Sequence, residues 1–275
     1  MSHFLTRFAP SPTGHLHLGH VASALAVWRA AEAAGGPAPI LRIEDTDIGR
    51  CRPEFEAQIL DDLSWLGFEW QAGIRRQSEH FADYENVLAD LNKRGLLYKC
   101  FRTRQEVAQA GGEAFRGESL SADQEEEYLS AGKPFALRLS LERVRDTLGG
   151  AYDQLHYIER KQGEEREIPA DPGPTGDVIL KRKDSPAAYH LACTRDDAAA
   201  SITHIIRGED LLNAAPVHTL LQALMKWPRP IYIHHKLLLG PDGKKLAKRS
   251  KSASLASLRE EGLGAADIIA LADGE

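Results

Sequence analysis

Cysteine is scarce in this chain: three residues in 275, Cys51, Cys100 and Cys193, odd in number and far apart. That argues against a disulfide framework, and since no two have the CxxC spacing it argues against a thiolate zinc site as well. Each reads as a small buried thiol. Long apolar runs are lacking too. None approaches the ~18 residues of a membrane span, and the N-terminus has no charged-then-apolar secretion layout, so a cytoplasmic protein with no membrane contact is expected. Nor is there an internal repeat, or an excess of positive charge: the formal net charge of −6 discourages indiscriminate binding to nucleic acid. What the chain does have is an ordinary globular composition, 43% hydrophobic and 27% charged, in a length that suits roughly two domains. It also has one local exception to its acidity, since "GKKLAKRSK" groups Lys244, Lys245, Lys248, Arg249 and Lys251 without an intervening acid.

The pattern along the chain predicts an α/β fold. Residues 3 to 8 are apolar-rich and run into Ala9-Pro10-Ser11-Pro12-Thr13-Gly14, a strand ended by a turn cluster. From Leu18 the apolar positions Val21, Leu25, Trp28 and Ala31 recur at helical spacing until Gly35-Gly36, and "PILRIED" supplies a second strand. Strand, turn, helix, strand is one βαβ unit, the opening of a parallel sheet. Helices are predicted over 53–66, with Pro53 in the first turn, and over 78–94, ended near Gly95. Residues 99 to 176 are polar and read as an insertion, with "SADQEEEYLSAG" as a surface helix and "RKQGEEREIPADPGPTG" as a loop. Strand signals return at "GDVILKRKDSPAAYHLAC", where "KDSP" reads as a hairpin turn, at "ITHIIRGED" and at "RPIYIHHKLLL". A helix over 214–226 lies between the last two, and two short helices joined near Gly262 follow the basic cluster.

In an open α/β sheet, ligands bind beyond the carboxyl ends of the strands, where helix N–H groups also point, and "PSPTGHLHLGH" has that place. His17 and His20 are three apart, on one side of the first helical turn, while Gly14 and Gly19 remove side chains that would crowd a ligand. Imidazoles beside a helix N-terminus suit a group that gains negative charge, such as the phosphates of a nucleotide. The bland alternative is surface histidines or satisfied caps. "KKLAKRS" follows Pro241-Asp242-Gly243 and reads as a positively charged loop able to close over a triphosphate, with its lysines as point charges. Its alternative is a solvated basic patch or a tRNA contact.

Together, "HLGH" and "KLAKR" resemble the paired motifs of class I aminoacyl-tRNA synthetases, and "RFAPSPTGHLHLGH", "LRIEDTD", "ITHIIRGEDLL" and "GKKLAKRS", in that order, are similar to the glutamyl branch. The resemblance implies a Rossmann-like parallel sheet with an inserted smaller α/β subdomain and a short helical C-terminal segment. Residues 1–98 and 177–240 would be the two halves of the nucleotide-binding domain, 99–176 the inserted subdomain, and 241–275 the lysine loop and helical segment. It implies that Arg7 and Tyr189 grip the side-chain carboxylate of glutamate with Ala9 beside them, that Ser11 and Glu44 take its α-amino group, and that Arg207 takes its α-carboxylate. His17, His20, Lys245 and Lys248 would hold ATP, Gly14 and Gly19 giving room, with His17, His20 and Lys248 catalytic. The chemistry suits these roles, because arginine matches planar carboxylates and Glu44 offers a charge to an ammonium. Alone, each has a structural alternative: an ion pair for Arg7 or Arg207, an amphipathic core position for Tyr189, an acidic loop for Glu44. Asp45 and Asp47 are left without a role.

Full-length members of the branch continue past the lysine loop into parts that read the tRNA stem and anticodon. This chain stops at Glu275, and its length and motif set are similar to the shortened, glutamyl-Q members. The resemblance implies an ATP-dependent ligase that activates L-glutamate, with Mg²⁺ on the phosphates, and attaches it to the queuosine base at the wobble position of tRNA(Asp). A monomer is expected, with catalysis by positioning and charge stabilisation. The alternatives are a minimal enzyme charging the 3′ end of tRNA(Glu), a catalytically idle binding module, and a nucleotidyltransferase acting on a small acid. Such proteins often carry a zinc site in the insertion, opened by Cys-x-Cys and closed by a tyrosine and a cysteine. Here "YKCFRTRQEV" keeps Cys100 but has Arg102 where the second thiol would stand, so no structural zinc is expected. Leu246 and Ala247 also depart from the class-wide basic motif, whereas Lys248 is kept.

Overall fold

The computed structural model describes residues 4–238 and 254–274. The chain opens with β1 (Arg7–Phe8), α1 (Leu18–Ala33) and β2 (Ile40–Ile43), and β2 runs parallel to β1 with Arg7 opposite Ile40. Helix α1 is alanine-rich and free of proline, buries Val21, Ala24, Leu25 and Ala31 along one stripe, and stops where Gly35 takes a φ of 61°, a conformation that costs glycine little. Pro53 opens α2 (Pro53–Trp65), where a missing amide proton is no loss. Strand β3 (Ile74–Arg76) joins β2 in parallel. It is Ile-Arg-Arg, too short for a sequence pattern to register. Then come α3 (Phe81–Lys93), β4 (Leu97–Cys100), α4 (Arg104–Gln109), α5 (Ala122–Ser130), β5 (Ala136–Leu139) and α6 (Leu141–Leu148). The rest is β6 (His156–Lys161), β7 (Glu164–Pro169), β8 (Val178–Lys181), α7 (Tyr189–Ala199), β9 (His204–Gly208), α8 (Ala215–Met225), β10 (Ile231–His235), α9 (Leu255–Glu260) and α10 (Ala265–Asp273).

Four places differ from the sequence reading. The first strand is shorter than the span 3 to 8, because Leu5 bonds across to the start of β9: Thr203 N and His204 N donate to its carbonyl at 2.9 and 3.1 Å. "RKQGEEREIPADPGPTG" is not a loop. Gln162 and Gly163 both take positive φ, 53° and 84°, as in a two-residue hairpin turn, and β6 and β7 pair antiparallel across it. The turn lacks the usual Asn-Gly or Asp-Gly, and the charge of the exposed strand β7 hides its alternation. "KDSP" is not a hairpin turn either, since the chain goes on into α7. The buried residues of that helix include Cys193, Asp196 and Asp197 as well as Leu191 and Ala192, so its inner face carries no clear apolar period.

Finally, the sheets do not follow the cut expected between 176 and 177. β6 pairs parallel with β10, giving the order β7-β6-β10-β9, while β8 pairs with β5 in the antiparallel sheet β4-β5-β8. Pairing partners distant in sequence, not composition, decide the layer to which each strand belongs.

The parallel strands β1-β2-β3 form a separate sheet from β7-β6-β10-β9, tied to it at Leu5. Ile205 and Ile206 of β9 point to opposite faces and enter different cores. One contains Leu91, Leu191, Leu220 and Tyr232, the other Val21, Leu25, Ile59 and Ile268. Helices therefore cover both faces, the layering of a doubly wound α/β fold. Joined at the start of β9 and parting beyond it, β1 and β9 leave a crevice at their carboxyl ends, where such folds bind ligands. No described helix is long and apolar enough to cross a membrane.

Candidate active site

A cavity of about 380 Å³ occupies that crevice. β1 brings Arg7, the residue after β2 is Glu44, β9 brings Arg207 and Gly208, β10 brings His235, and α1 faces them with Gly19, His20 and Ser23. Gly208 allows a close approach, because a Cβ there would lie 2.5 Å from Asp210 Oδ1 and 2.9 Å from Leu237 Cδ2.

At the mouth of α1 the two histidines cap the helix reciprocally. Gly19 N donates to His17 Nδ1 at 3.1 Å, and His17 N donates to His20 Nδ1 at 3.1 Å. Their rings pack with centroids 3.8 Å apart. Since both Nδ1 atoms accept, each ring carries a proton on Nε2, close to the helix N-terminus. His15, the third histidine of the motif, is exposed and packs on Phe55. Leu238 lines the cavity, and Ser254 forms a β-bridge with His17 while Leu255 N donates to Leu16 O at 2.9 Å. Both described ends of the lysine segment thus lie against this mouth. Lys245 and Lys248, with Leu246 and Ala247, fall outside the described residues.

Deeper in, charge is shared across elements. Asp197 of α7, 4% exposed, accepts from Arg7 Nε at 2.9 Å and Arg42 Nη1 at 2.5 Å, and Arg42 Nη2 reaches Glu44 at 3.0 Å. Burial opposes ionisation of Asp197, but Arg42 and Arg7 outweigh it and hold the carboxyl below its usual range. For Glu44 the balance is reversed: burial pushes the carboxyl up, and Arg42 and Arg7 only partly offset it. Burial, with Cys193 and Glu44 near, keeps the Tyr189 phenol protonated.

Arg207, 5% exposed, is built differently. Its Nε donates to His234 Nε2 at 3.2 Å and its Nη1 to His218 Nδ1 at 3.2 Å, and its guanidinium lies 4.9 Å from the Tyr232 ring centroid. Nη2 is buried with no hydrogen-bond partner, and no carboxylate pairs with Arg207 among the described residues. A buried cation with an unsatisfied donor costs free energy until an anion meets it.

Of the residues singled out in the sequence, Arg7, Ala9, His17, Gly19, His20, Glu44, Tyr189 and Arg207 all line this cavity. Ser11 and Gly14 are not among its described lining. Ser11 is exposed on the turn, where its carbonyl accepts from Thr13 N at 2.8 Å. Asp45 accepts from the Ser78 amide at 2.8 Å, and Asp47 pairs with Arg50 and Arg182, so both tie down the loop after β2. Cys100 is buried with Tyr98 and Phe115, and Arg102 lies over the Phe115 ring at 5.9 Å. Among the described residues no group of three His, Cys, Asp or Glu stands together to hold a metal. Four supporting residues went unread in the sequence: Arg42, Asp197, His218 and His234. The spacing of Tyr189, Cys193 and Asp197, four and eight apart, could have shown Asp197 once "YHLACTRDD" was read as a helix. His218 carried no local signal.

Residues 3–270 match the family profile described as tRNA synthetases class I (E and Q), catalytic domain. The chain is 40% identical over 280 residues to a glutamyl-Q tRNA(Asp) synthetase of Rhodobacter capsulatus, covering 96% of this chain and 98% of that one. It is 35% identical to a glutamate–tRNA ligase of Coprothermobacter proteolyticus, of which it spans 56%. A crystal structure of a glutamate tRNA ligase from Elizabethkingia meningosepticum in complex with its amino acid superposes with a TM-score of 0.76 at 29% identity, covering 98% of this chain and 60% of that one. The chain therefore belongs to the glutamyl and glutaminyl branch of the class I tRNA synthetases, as an enzyme of the ligase type built on that family's catalytic domain.

Proposed function

We propose that this chain activates L-glutamate with ATP and transfers it to the queuosine base at the wobble position of tRNA(Asp). The observation that carries the reading is Arg207, a buried guanidinium with an unpartnered Nη2 and no carboxylate of its own, in the same cavity as Arg7, Glu44 and Tyr189. The cavity is lined by two buried guanidiniums, of Arg7 and Arg207, and the partly exposed carboxyl of Glu44, with Asp210 exposed at the rim, while Arg42 and Asp197 stand buried behind them. An amino acid with a second carboxylate complements that wall better than its amide does.

In this reading Arg207 holds the α-carboxylate, Glu44 the α-ammonium, and Arg7 with Tyr189 the side-chain carboxylate. An α-carboxylate oxygen attacks the α-phosphorus of ATP, the bond to the bridging oxygen of the β-phosphate breaks, and pyrophosphate leaves. His17 and His20 donate to the phosphates, and Lys248 adds a positive charge there. A hydroxyl of the cyclopentenediol ring of queuosine then attacks the glutamyl carbonyl, giving up its proton as AMP departs. No side chain becomes covalent, so positioning and charge stabilisation carry the rate. Mg²⁺ bound with the ATP would offset the charge of its phosphates. No described residue is assigned to it. The identity of 40% to the Rhodobacter glutamyl-Q relative, against 35% to the glutamate–tRNA ligase, supports the modified base over a 3′ end. A monomer at work in the cytoplasm completes the proposal.

The test is incubation with labelled L-glutamate, ATP and either queuosine-containing or queuosine-free tRNA(Asp), with tRNA(Glu) in parallel. Label on the queuosine-containing tRNA alone supports the reading. Label on tRNA(Glu), or on both forms of tRNA(Asp), overturns it.

A further inference from the structure

Arg7 and Arg207 face one cavity but are anchored by opposite chemistry. Arg7 shares a buried carboxylate, Asp197, with Arg42. Arg207 leans on two imidazoles. A guanidinium can only donate, so the nitrogens it touches, His218 Nδ1 and His234 Nε2, must both be acceptors. The proton of His218 is then on Nε2, which faces His190 Nδ1 at 3.2 Å with Cys193 Sγ at 3.5 Å. The proton of His234 is on Nδ1, which donates to Glu159 Oε1 at 2.7 Å. Each imidazole is thus oriented from behind, by His190 and by Glu159, and cannot turn without breaking a second bond.

We propose that His218 and His234 are positioning residues for Arg207, two neutral acceptors that fix the guanidinium through Nη1 and Nε while leaving its charge uncompensated for the α-carboxylate of the substrate. A carboxylate in either place would orient the arginine equally well but neutralise it, and would compete with the substrate. Burial supports the assignment: His218 is 2% exposed, and burial, then Arg207, keeps its imidazole unprotonated. The inference rests on the reading that Arg207 meets the α-carboxylate of glutamate.

The two failures separate in one experiment on the full chain. His218→Asn keeps an acceptor near Nδ1 without charge, whereas His218→Asp has the same shape and a charge. Thermal unfolding first establishes that both fold. The KM for L-glutamate and for ATP is then read by pyrophosphate exchange, together with competition by L-glutamate α-amide, which lacks the α-carboxylate. The wild type should prefer glutamate to its α-amide. His218→Asn should retain that preference, and His218→Asp should lose it, its KM for glutamate rising about tenfold or more above that of His218→Asn with the KM for ATP unchanged. Equal binding of glutamate and α-amide by the wild type overturns the Arg207 reading and the inference with it. A wild type that discriminates, with His218→Asn and His218→Asp alike in KM, overturns the inference alone. Should His218→Asp not fold, His234→Gln against His234→Glu makes the same comparison at Nε.

Discussion

At the scale of single residues, the site is decided by which groups are kept from charging. His190 is lowered from its ordinary 6.5 to about 4, first by burial and then by Arg207, and His218 is also held well below its ordinary value, by burial and then by Arg207. Above pH 6.5 both are neutral folded or unfolded and have no effect on the pH dependence of stability. As pH falls from 6.5 toward 4, the unfolded chain binds protons that the folded one cannot, so stability falls by about 1.4 kcal/mol per pH unit for each such histidine. The melting temperature followed over this range should decline, and His190→Phe should flatten the decline. Equal slopes for wild type and variant would show that His190 is not held neutral. None of this was legible in the sequence, where "AYHLAC" and "APVHTLL" place two histidines far apart. His17 and His20 were legible because their spacing and the following helix fix the cap locally.

At the scale of elements, α7 is the spine of the site. Two adjacent acids on its buried side gather the strands: Asp197 takes Arg7 of β1 and Arg42 of β2, and Asp196 takes Arg75 of β3 at 2.7 Å with Gln77 and the Tyr84 hydroxyl. Removing Asp197 leaves two buried guanidiniums without their shared anion, so Asp197→Ala should cost about 3–5 kcal/mol in urea unfolding and weaken glutamate binding. A loss below 1 kcal/mol, on the order of a surface ion pair, would refute the spine. In the insertion, Gly176 takes a φ of 64°, and a Cβ there would meet the backbone oxygens of Phe115 and Glu113 at 2.4 and 2.7 Å. Gly176→Ala should therefore destabilise by more than about 1 kcal/mol, seen as a lower melting temperature. An unchanged value would mean that this backbone can yield. The βαβ opening and most helices were readable because caps, prolines and apolar stripes are local. Helix α7 and the β6–β7 hairpin were not, because buried acids on one and exposed charge on the other mask the period.

At the scale of the whole molecule, two sheets joined at Leu5 open a crevice that collects β1, the end of β2, β9, β10 and α1 around one amino-acid-sized wall, with Leu238 and Ser254 bringing both ends of the lysine segment to the imidazoles. Lys248→Ala should accordingly cut pyrophosphate exchange while leaving glutamate binding within about twofold, that is, within about RT of free energy. Exchange equal to wild type would remove Lys248 from the phosphate site. The ordered motifs made this convergence readable from the sequence. The supporting network of Arg42, Asp197 and His218 was not, since it exists only once distant segments pack. The most direct measurement is ATP–pyrophosphate exchange, with queuosine-containing tRNA(Asp) present, driven by L-glutamate or by L-glutamine. Exchange with glutamate and little or none with glutamine is the predicted result, and equal exchange with both, or none with glutamate, would contradict a pocket in which Arg7 and Tyr189 meet the side-chain carboxylate of a dicarboxylic amino acid.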